Sequence, residues 1–313
     1  MCAARDHKAE LPRTVLILGS ARSGTTLLAK IFDSAPNVLY RHEPDSTKIT
    51  TAIPFLPHPQ ETANYLAPAA GYMAELTRQR DPKSSGTRPV FPKAFRSPAG
   101  TYGFLASIYL SKLAGKAGLS LPIPDFARPG VDKVHVIKSV NSLCRAELFL
   151  DAVPDLRVVH IVRHPCGVAA SLNRGMDSGQ MGSRAHIGSH IDDLFNAGIA
   201  DGFGYAQEEI KQGSFEQQAA FKWMVQNSFV YDRLADHERY MLVSYEEICT
   251  AVHSTAQRLY DFAGLAWQDQ TERFLTRTEG KESDSGNYFG IDKKLDASLY
   301  TWRETLPAES IEQ

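Results

Sequence analysis

Apolar positions along the chain fall into short runs separated by stretches of helical spacing. Val15-Leu-Ile-Leu18 is a continuous apolar run of strand length. Leu27, Leu28, Ile31 and Phe32 then recur at helical spacing, and Ala35-Pro36 stops that helix. Val38 to Tyr40 predicts a short strand that Pro44 breaks. Val131–Lys138, Leu156–Arg163 and Tyr240–Val243 predict further strands, and the branched residues of Leu156–Arg163 suit burial on both faces. Helices are predicted after Asn141 or Ser142, through Leu150, and after His164-Pro-Cys-Gly, with Val168, Ala169, Ser171 and Leu172. A third opens at the capping box Ser214-Phe-Glu-Gln217, carries Phe221, Val225 and Phe229, and runs to about His237. Val252 to Ala263 is amphipathic and ends at Gly264. Strands alternating with helices imply an α/β fold, a three-layer doubly wound parallel sheet. Ligands of such sheets bind outside the carboxyl ends of the strands. Gly19–Thr26, Lys138 and Arg163–Ser171 all fall at such ends and are expected in one crevice.

Two stretches break the rhythm. Asp45 to Arg128 is rich in proline (Pro54, Pro57, Pro59, Pro68, Pro82, Pro89, Pro92, Pro98) and predicts one helix, near Gly103–Ala114. It reads as an insertion over the mouth of the sheet, about 45–130, where acceptor-binding loops tend to sit. Gly175 to Gly213 is glycine-rich with few apolar anchors and reads as a mobile lid. The tail from Gly280 has few apolar residues until Trp302. Residues 1–313 are therefore expected to form one domain with these two elaborations.

Charge narrows the partners. Lys+Arg 34 against Asp+Glu 36 gives a net charge of -2, which offers no general basic field for nucleic acid. Cys2, Cys144, Cys166 and Cys249 show neither C-x-x-C nor metal spacing with histidine, which suits free thiols in a reducing compartment. No 18-residue apolar run and no apolar leader occur, so the expectation is a cytoplasmic chain without a membrane segment.

The first strand, loop and helix have the layout of a phosphate cradle. Backbone N–H groups of the loop and first helical turn lack intrahelical partners, and the helix dipole adds positive charge there. Thr25 and Thr26 add hydroxyl donors. Gly19 and Gly24 have Walker A spacing, but Thr25 stands where that motif has Lys, and the cation has moved to Arg22. An ordinary NTP loop remains an alternative at this point. Gly19-Ser-Ala-Arg-Ser-Gly-Thr-Thr-Leu-Leu28 resembles the 5′-phosphosulfate loop of sulfotransferases that use 3′-phosphoadenosine 5′-phosphosulfate (PAPS). The resemblance implies that Arg22, Ser23, Gly24, Thr25 and Thr26 hold the 5′-phosphosulfate on a P-loop-like sulfotransferase fold.

A second motif is similar to the same family. Arg163-His-Pro-Cys-Gly-Val-Ala-Ala-Ser-Leu172 matches the strand ending in Arg-x-Pro, followed by a helix with Ser, that binds the 3′-phosphate. A guanidinium meets a doubly charged phosphate bidentately, and Ser171 adds a hydroxyl. Val243-Ser-Tyr-Glu-Glu-Ile248 with Phe262-Ala-Gly-Leu265 resembles a further family segment and adds Tyr245 to the binding set. The tail resembles the loop that closes over the nucleotide ahead of a Trp-bearing helix, which makes Ser285, Asn287 and Lys293 candidates for the 3′-phosphate. The chain lacks the lysine-bearing first loop and the R-K-G…W-K-N tail of the cytosolic phenol and steroid branch. It looks closer to the carbohydrate and tyrosylprotein branches and their bacterial relatives.

The resemblance implies sulfuryl transfer from PAPS to a hydroxyl or amine, leaving 3′,5′-adenosine bisphosphate (PAP), with no metal required. Arg22 and Lys138 would stabilise charge on the transferred group and the leaving oxygens. Glu43, in Arg41-His-Glu-Pro44, is the expected base, and His42 the alternative. Carbohydrate, tyrosine peptide, lipid and small-metabolite acceptors all stay open, as does self-association. The competing readings are a P-loop kinase, which predicts Mg²⁺ dependence and no use for Arg163, and a non-catalytic nucleotide-binding protein on the same fold.

Overall fold

The computed structural model describes residues 12–179, 185–280 and 299–312. The chain runs from β1 (Thr14–Leu18) through α1 (Thr25–Asp33) to β2 (Val38–His42). It continues through α2 (Thr62–Arg78), α3 (Pro82–Ser85) and α4 (Pro98–Lys116) to β3 (Val134–Ser139). The short α5 (Ala146–Ala152) leads into β4 (Leu156–Val162). Next come α6 (Pro165–Asp177), α7 (Ala185–Asn196), α8 (Gln207–Gln212) and α9 (Phe215–Leu234). After them β5 (Tyr240–Ser244) is followed by α10 (Tyr245–Thr250), α11 (Val252–Ala263), α12 (Asp269–Gly280) and α13 (Trp302–Thr305).

The five strands form one parallel sheet in the order β2-β3-β1-β4-β5. β1 is central and buried at every position, as its unbroken apolar run requires. Its side chains alternate between two cores. Val15 and Ile17 pack with Leu28, Ile31 and Phe32 of α1, Leu259 and Tyr260 of α11, and Leu275 of α12. Leu16 and Leu18 pack on the opposite face with Met73 and Leu76 of α2, Phe149 of α5 and Val230 of α9. The three-layer doubly wound expectation is met. Consecutive strands leave β1 first toward β3 and β2 and later toward β4 and β5, so the order of connection reverses beside β1. That is where an open parallel sheet presents a crevice at its carboxyl ends.

Local signals hold where they were strong. Ser214 Oγ accepts from Gln217 N at 3.2 Å, and Gln217 Oε1 accepts from Ser214 N at 2.7 Å, which starts α9. Gly264 takes φ +61° beyond α11 and ends it.

Two expectations are corrected. The proline-rich stretch is not wholly an insertion, because α2 lies inside it and supplies Ala69, Tyr72, Met73 and Leu76 to the second core. Their spacing is helical, but Pro68 sits in the helix interior, where proline forfeits a hydrogen bond and argues against a helix. The Gly175–Gly213 stretch is not short of apolar anchors. Ile191 and Leu194 of α7 and Ile210 of α8 form a cluster with Phe221 and Val225 of α9. The Ile191, Leu194, Phe195 stripe is a helical repeat that the flanking glycines obscured. The helix predicted near Gly103–Ala114 is longer at both ends, with Ser97 accepting from Gly100 N as its cap. No helix among the described residues is long and apolar enough to cross a membrane.

The place of α2 in the core is testable. Met73 is 1% exposed, and Met73→Ala is expected to cost about 2–5 kcal/mol in urea unfolding. A loss within about 0.5 kcal/mol, as at a surface site, would return α2 to the insertion.

Candidate functional site

The loop after β1 is held by backbone geometry first. Gly19 lies so close to β4 that a Cβ there would stand 2.5 Å from the Ile161 carbonyl oxygen. Arg22 and Gly24 take φ +73° and +92°, which turns the chain sharply into α1. Thr25 at the start of α1 is buried and Thr26 half-buried. Ser23 is fully buried, and its Oγ has no hydrogen-bond partner among the described residues. An orphaned hydroxyl, open amides and a helix N-terminus together suit a phosphate or sulfate oxygen.

A buried relay that the sequence did not announce ties this loop to the sheet. Asn227 Nδ2 on α9 donates to Ser20 Oγ at 3.2 Å, and its Oδ1 lies 2.8 Å from His160 Nε2. His160 Nδ1 lies 2.7 Å from the Tyr240 hydroxyl. Burial pushes the His160 pKa down to about 4, so the ring is neutral. Asn227 Oδ1 only accepts, which places the ring proton on Nε2 and makes Tyr240 the donor to Nδ1.

The second motif meets the first across 141 residues of sequence. Arg163 Nη1 donates to the Arg22 carbonyl oxygen at 3.3 Å. Its guanidinium lies 4.5 Å from the centre of the Tyr245 ring. Tyr245 in turn covers Gly24, where a Cβ would fall 2.3 Å from Cδ2 of the ring. Gly167 leaves room for Arg163, since a Cβ there would be 2.8 Å from Nε. Arg22 Nε donates to Ser171 Oγ at 3.0 Å. A capping box between Ser244 and Glu247 fixes α10 and hence the first-turn position of Tyr245. His164, at the head of α6, stacks on Trp302 of α13 with ring centres 4.5 Å apart. Arg22, Ser23, Gly24, Thr25, Thr26, Arg163, Ser171 and Tyr245 are thus brought to one place. Ser285, Asn287 and Lys293 lie outside the described residues.

The third group stands at the ends of β2 and β3. His42 pairs with Lys138 in the ladder, and Glu43 N donates to the Lys138 carbonyl oxygen at 2.7 Å. Glu43 has φ +43°, an uncommon conformation for a residue with a side chain. Lys138 Nζ donates to Glu43 Oε1, and Lys83 Nζ of α3 lies 3.1 Å from Oε2. Burial would raise the Glu43 pKa, but the charge and hydrogen bond of Lys138, with help from Lys83, hold it at about 2. Burial, followed by the Lys138 charge, pushes His42 down to about 3, and its Nδ1 lies 2.7 Å from the Tyr40 hydroxyl. His42 is therefore neutral. Burial also lowers the Lys138 pKa, against the opposing charge of Glu43. β3 and β4 flank β1, with Ile17 opposite Lys138 and Leu18 opposite His160. Lys138, the glycine-bounded loop and Arg163 consequently occupy three adjacent strand ends.

Asp45, two residues beyond Glu43, was missed. Its Oδ2 accepts from Ser139 and, at 2.8 Å, from Ser142, while Oδ1 has no partner among the described residues. Burial raises its pKa. Asp45 lines a cavity of about 300 Å³ with Phe55, Tyr72, Asn141, Arg145 and His190. The signal available in sequence was the acid pair Glu43-Pro-Asp45 at a strand end, of which only the first acid was taken up.

The chain is similar to known proteins. A model of the sulfotransferase family matches residues 12–269. Carbohydrate sulfotransferase 2 of Mus musculus is 26% identical over 183 residues, covering 54% of this chain and 34% of that protein. The chain thus spans about a third of that relative's length. Carbohydrate sulfotransferase 4 of Mus musculus is 22% identical over 323 residues, covering 96% of this chain and 78% of that protein. Among solved structures, the sulfotransferase domain from the curacin biosynthetic pathway gives a TM-score of 0.44 at 14% identity, covering 97% of this chain and 96% of that one. Mouse sulfotransferase SULT7A1 complexed with PAP gives 0.43 at 10% identity, covering 96% and 80%.

The packing of Tyr245 on Gly24 makes a prediction. Gly24→Ala places a side chain at positive φ and displaces the ring, and is expected to cost about 1–3 kcal/mol in urea unfolding. Adding Tyr245→Ala is expected to recover part of that loss. Strict additivity of the two changes would show that residues 24 and 245 do not touch.

Proposed function

The chain belongs to the sulfotransferase family, and on that premise we propose that it moves a sulfuryl group from PAPS to an acceptor hydroxyl. The observation that carries this reading is the meeting of Arg163 and Ser171 with the loop around Arg22. A kinase acting on NTP has no 3′-phosphate and leaves that second motif without a task. In our reading Arg163 and Ser171 hold the 3′-phosphate, with Tyr245 supporting the guanidinium from below. Arg22, the amides from Ser23 to Thr26, and the orphaned Ser23 Oγ hold the 5′-phosphosulfate. The family resemblance adds Ser285, Asn287 and Lys293 to the 3′-phosphate.

PAPS supplies the activated sulfuryl group, with PAP as the leaving group. The protein positions the reactants and manages one proton and the developing negative charge. Glu43 is the base that takes the acceptor proton. A carboxylate held at about 2 is ionised but a weak base. Its weakness comes chiefly from Lys138 (and less from Lys83), so turning Lys138 toward the leaving oxygen strengthens Glu43 at the moment it is needed. Burial then acts on Glu43 with less opposition, and its affinity for a proton rises. His42, neutral and down at about 3, is the weaker candidate for the base.

The cavity beside Asp45 is assigned to the acceptor. Its carboxylate, amide, guanidinium and aromatic lining suits a polyhydroxylated compound, in keeping with the carbohydrate named in the relatives' titles. Among the described residues Cys144 and Cys166 are thiols, which fits a reducing compartment, the cytoplasm in this reading.

Three outcomes follow. Arg163→Ala is expected to weaken PAP binding by about 2–5 kcal/mol in calorimetry, and unchanged affinity would remove Arg163 from the 3′-phosphate. Glu43→Gln is expected to keep PAP affinity and lose about 10²-fold or more in turnover, whereas near-normal turnover would pass the base to His42. The third concerns acid. Glu43 has a folded pKa below its ordinary 4.5, so its ion pair stabilises the fold above pH 4.5 and is lost as the pH falls to about 2. Lys138→Met lets Glu43 titrate higher, and urea unfolding across that window is expected to lose part of its pH dependence. An unaltered pH dependence would contradict the coupling.

A further inference from the structure

A second cavity lies behind β2, with room of about 30 Å³. Its lining includes Lys30, Arg41, Ser85, Lys93 and Arg96, and the four cations are 1%, 1%, 8% and 7% exposed. Two buried carboxylates face them. Asp33 takes Lys30 and Lys93, each at 2.8 Å, and Asp125 takes Arg41 at 2.7 Å. Arg80 also reaches Asp125, at 3.1 Å, but is half exposed and screened by solvent. Four buried cations against two buried anions leave an excess of positive charge where desolvation makes it costly.

The donors of this cluster are unevenly used. Lys30 Nζ bonds Asp33 and the carbonyls of Thr87 and Pro89. Lys93 Nζ bonds Asp33 and the carbonyl of Ala35. Arg96 donates through Nε to the Asp125 carbonyl at 2.7 Å, and its Nη1 and Nη2, which make no hydrogen bond among the described residues, are not fully buried. The Phe104 ring, 3.7 Å from the guanidinium, fixes its plane. Ser85 Oγ is buried and has no hydrogen-bond partner among the described residues. The unpaired Ser85 hydroxyl and the outer nitrogens of Arg96 therefore belong to the lining of the same small, positively charged space.

We propose that this cavity is a site for one halide-sized monovalent anion, such as chloride, bonded by Arg96 and Ser85. The room is sufficient for a monatomic ion or a water. An anion satisfies both donors and offsets the excess charge, whereas a water satisfies the donors alone. The site also bears on the crevice. Ser85 ends α3, and Lys83 in the same short helix holds Glu43 Oε2, so an anion at Ser85 steadies the helix that steadies Glu43.

The test uses the full chain, melted in sodium bromide and in sodium gluconate at equal ionic strength. Bromide is expected to raise the midpoint by about 2–4 °C, and Ser85→Ala and Arg96→Met to remove most of that increment. If Arg96→Met does not fold, Ser85→Ala makes the comparison alone. Crystals soaked in bromide are expected to show an anomalous peak between Ser85 and Arg96. Equal midpoints in the two salts, an increment that survives both substitutions, or a cavity holding water without an anomalous peak would each overturn the proposal.

Discussion

The position of the Arg163 guanidinium is the constraint on which the crevice depends. It leaves the end of a strand buried on both faces, rests on the Tyr245 ring and donates to the Arg22 carbonyl. Tyr245 fits there only because Gly24 has no side chain, and Arg163 fits only because Gly167 has none. Arg22, held at positive φ, then reaches Ser171 on the helix that follows Arg163. Two motifs far apart in sequence thus form one cationic, hydroxyl-bearing surface. The buried His160–Asn227–Ser20 relay anchors that surface from behind.

The ion pair at the neighbouring strand ends follows a different logic. A buried lysine and a buried glutamate each lose hydration, and each is kept charged by the other. Glu43 also holds a backbone conformation worth about 1–3 kcal/mol of strain, which persists only where the surroundings fix it. The Lys138 carbonyl, Lys83 and the turn at Pro44 do so. In the mechanism we propose, the pair stores the base in a masked form, and the partner that masks it is the group needed at the leaving oxygen.

The parts of the molecule legible in sequence were those governed by local rules. Val15–Leu18 and Leu156–Arg163 could only be buried strands, and Ser214-Phe-Glu-Gln217 could hardly avoid capping a helix. The loop at Gly19–Gly24 and the Arg163–Ser171 motif were legible by their residue types at fixed spacing, and the fold brings the two together. α2 was hidden because Pro68 lies in a helix whose face is paid for by tertiary burial of Met73 and Leu76. The α7 stripe was hidden by flanking glycines. Asn227, His160 and Asp45 were hidden for a deeper reason. Each acts through a partner distant in sequence, and only the folded sheet brings those partners together.

The central claim is that the surface built around Arg163 recognises a 3′-phosphate. The most direct measurement is a thermal-shift titration of the chain with PAP in the presence of a chelator, beside ADP and ATP·Mg²⁺. PAP at about 100 times its dissociation constant is predicted to stabilise by about 2.7 kcal/mol, a rise of several degrees, with little response to ADP. A shift with ATP·Mg²⁺ and none with PAP would contradict the account, because the convergence of Arg22, Arg163 and Ser171 would then serve no 3′-phosphate.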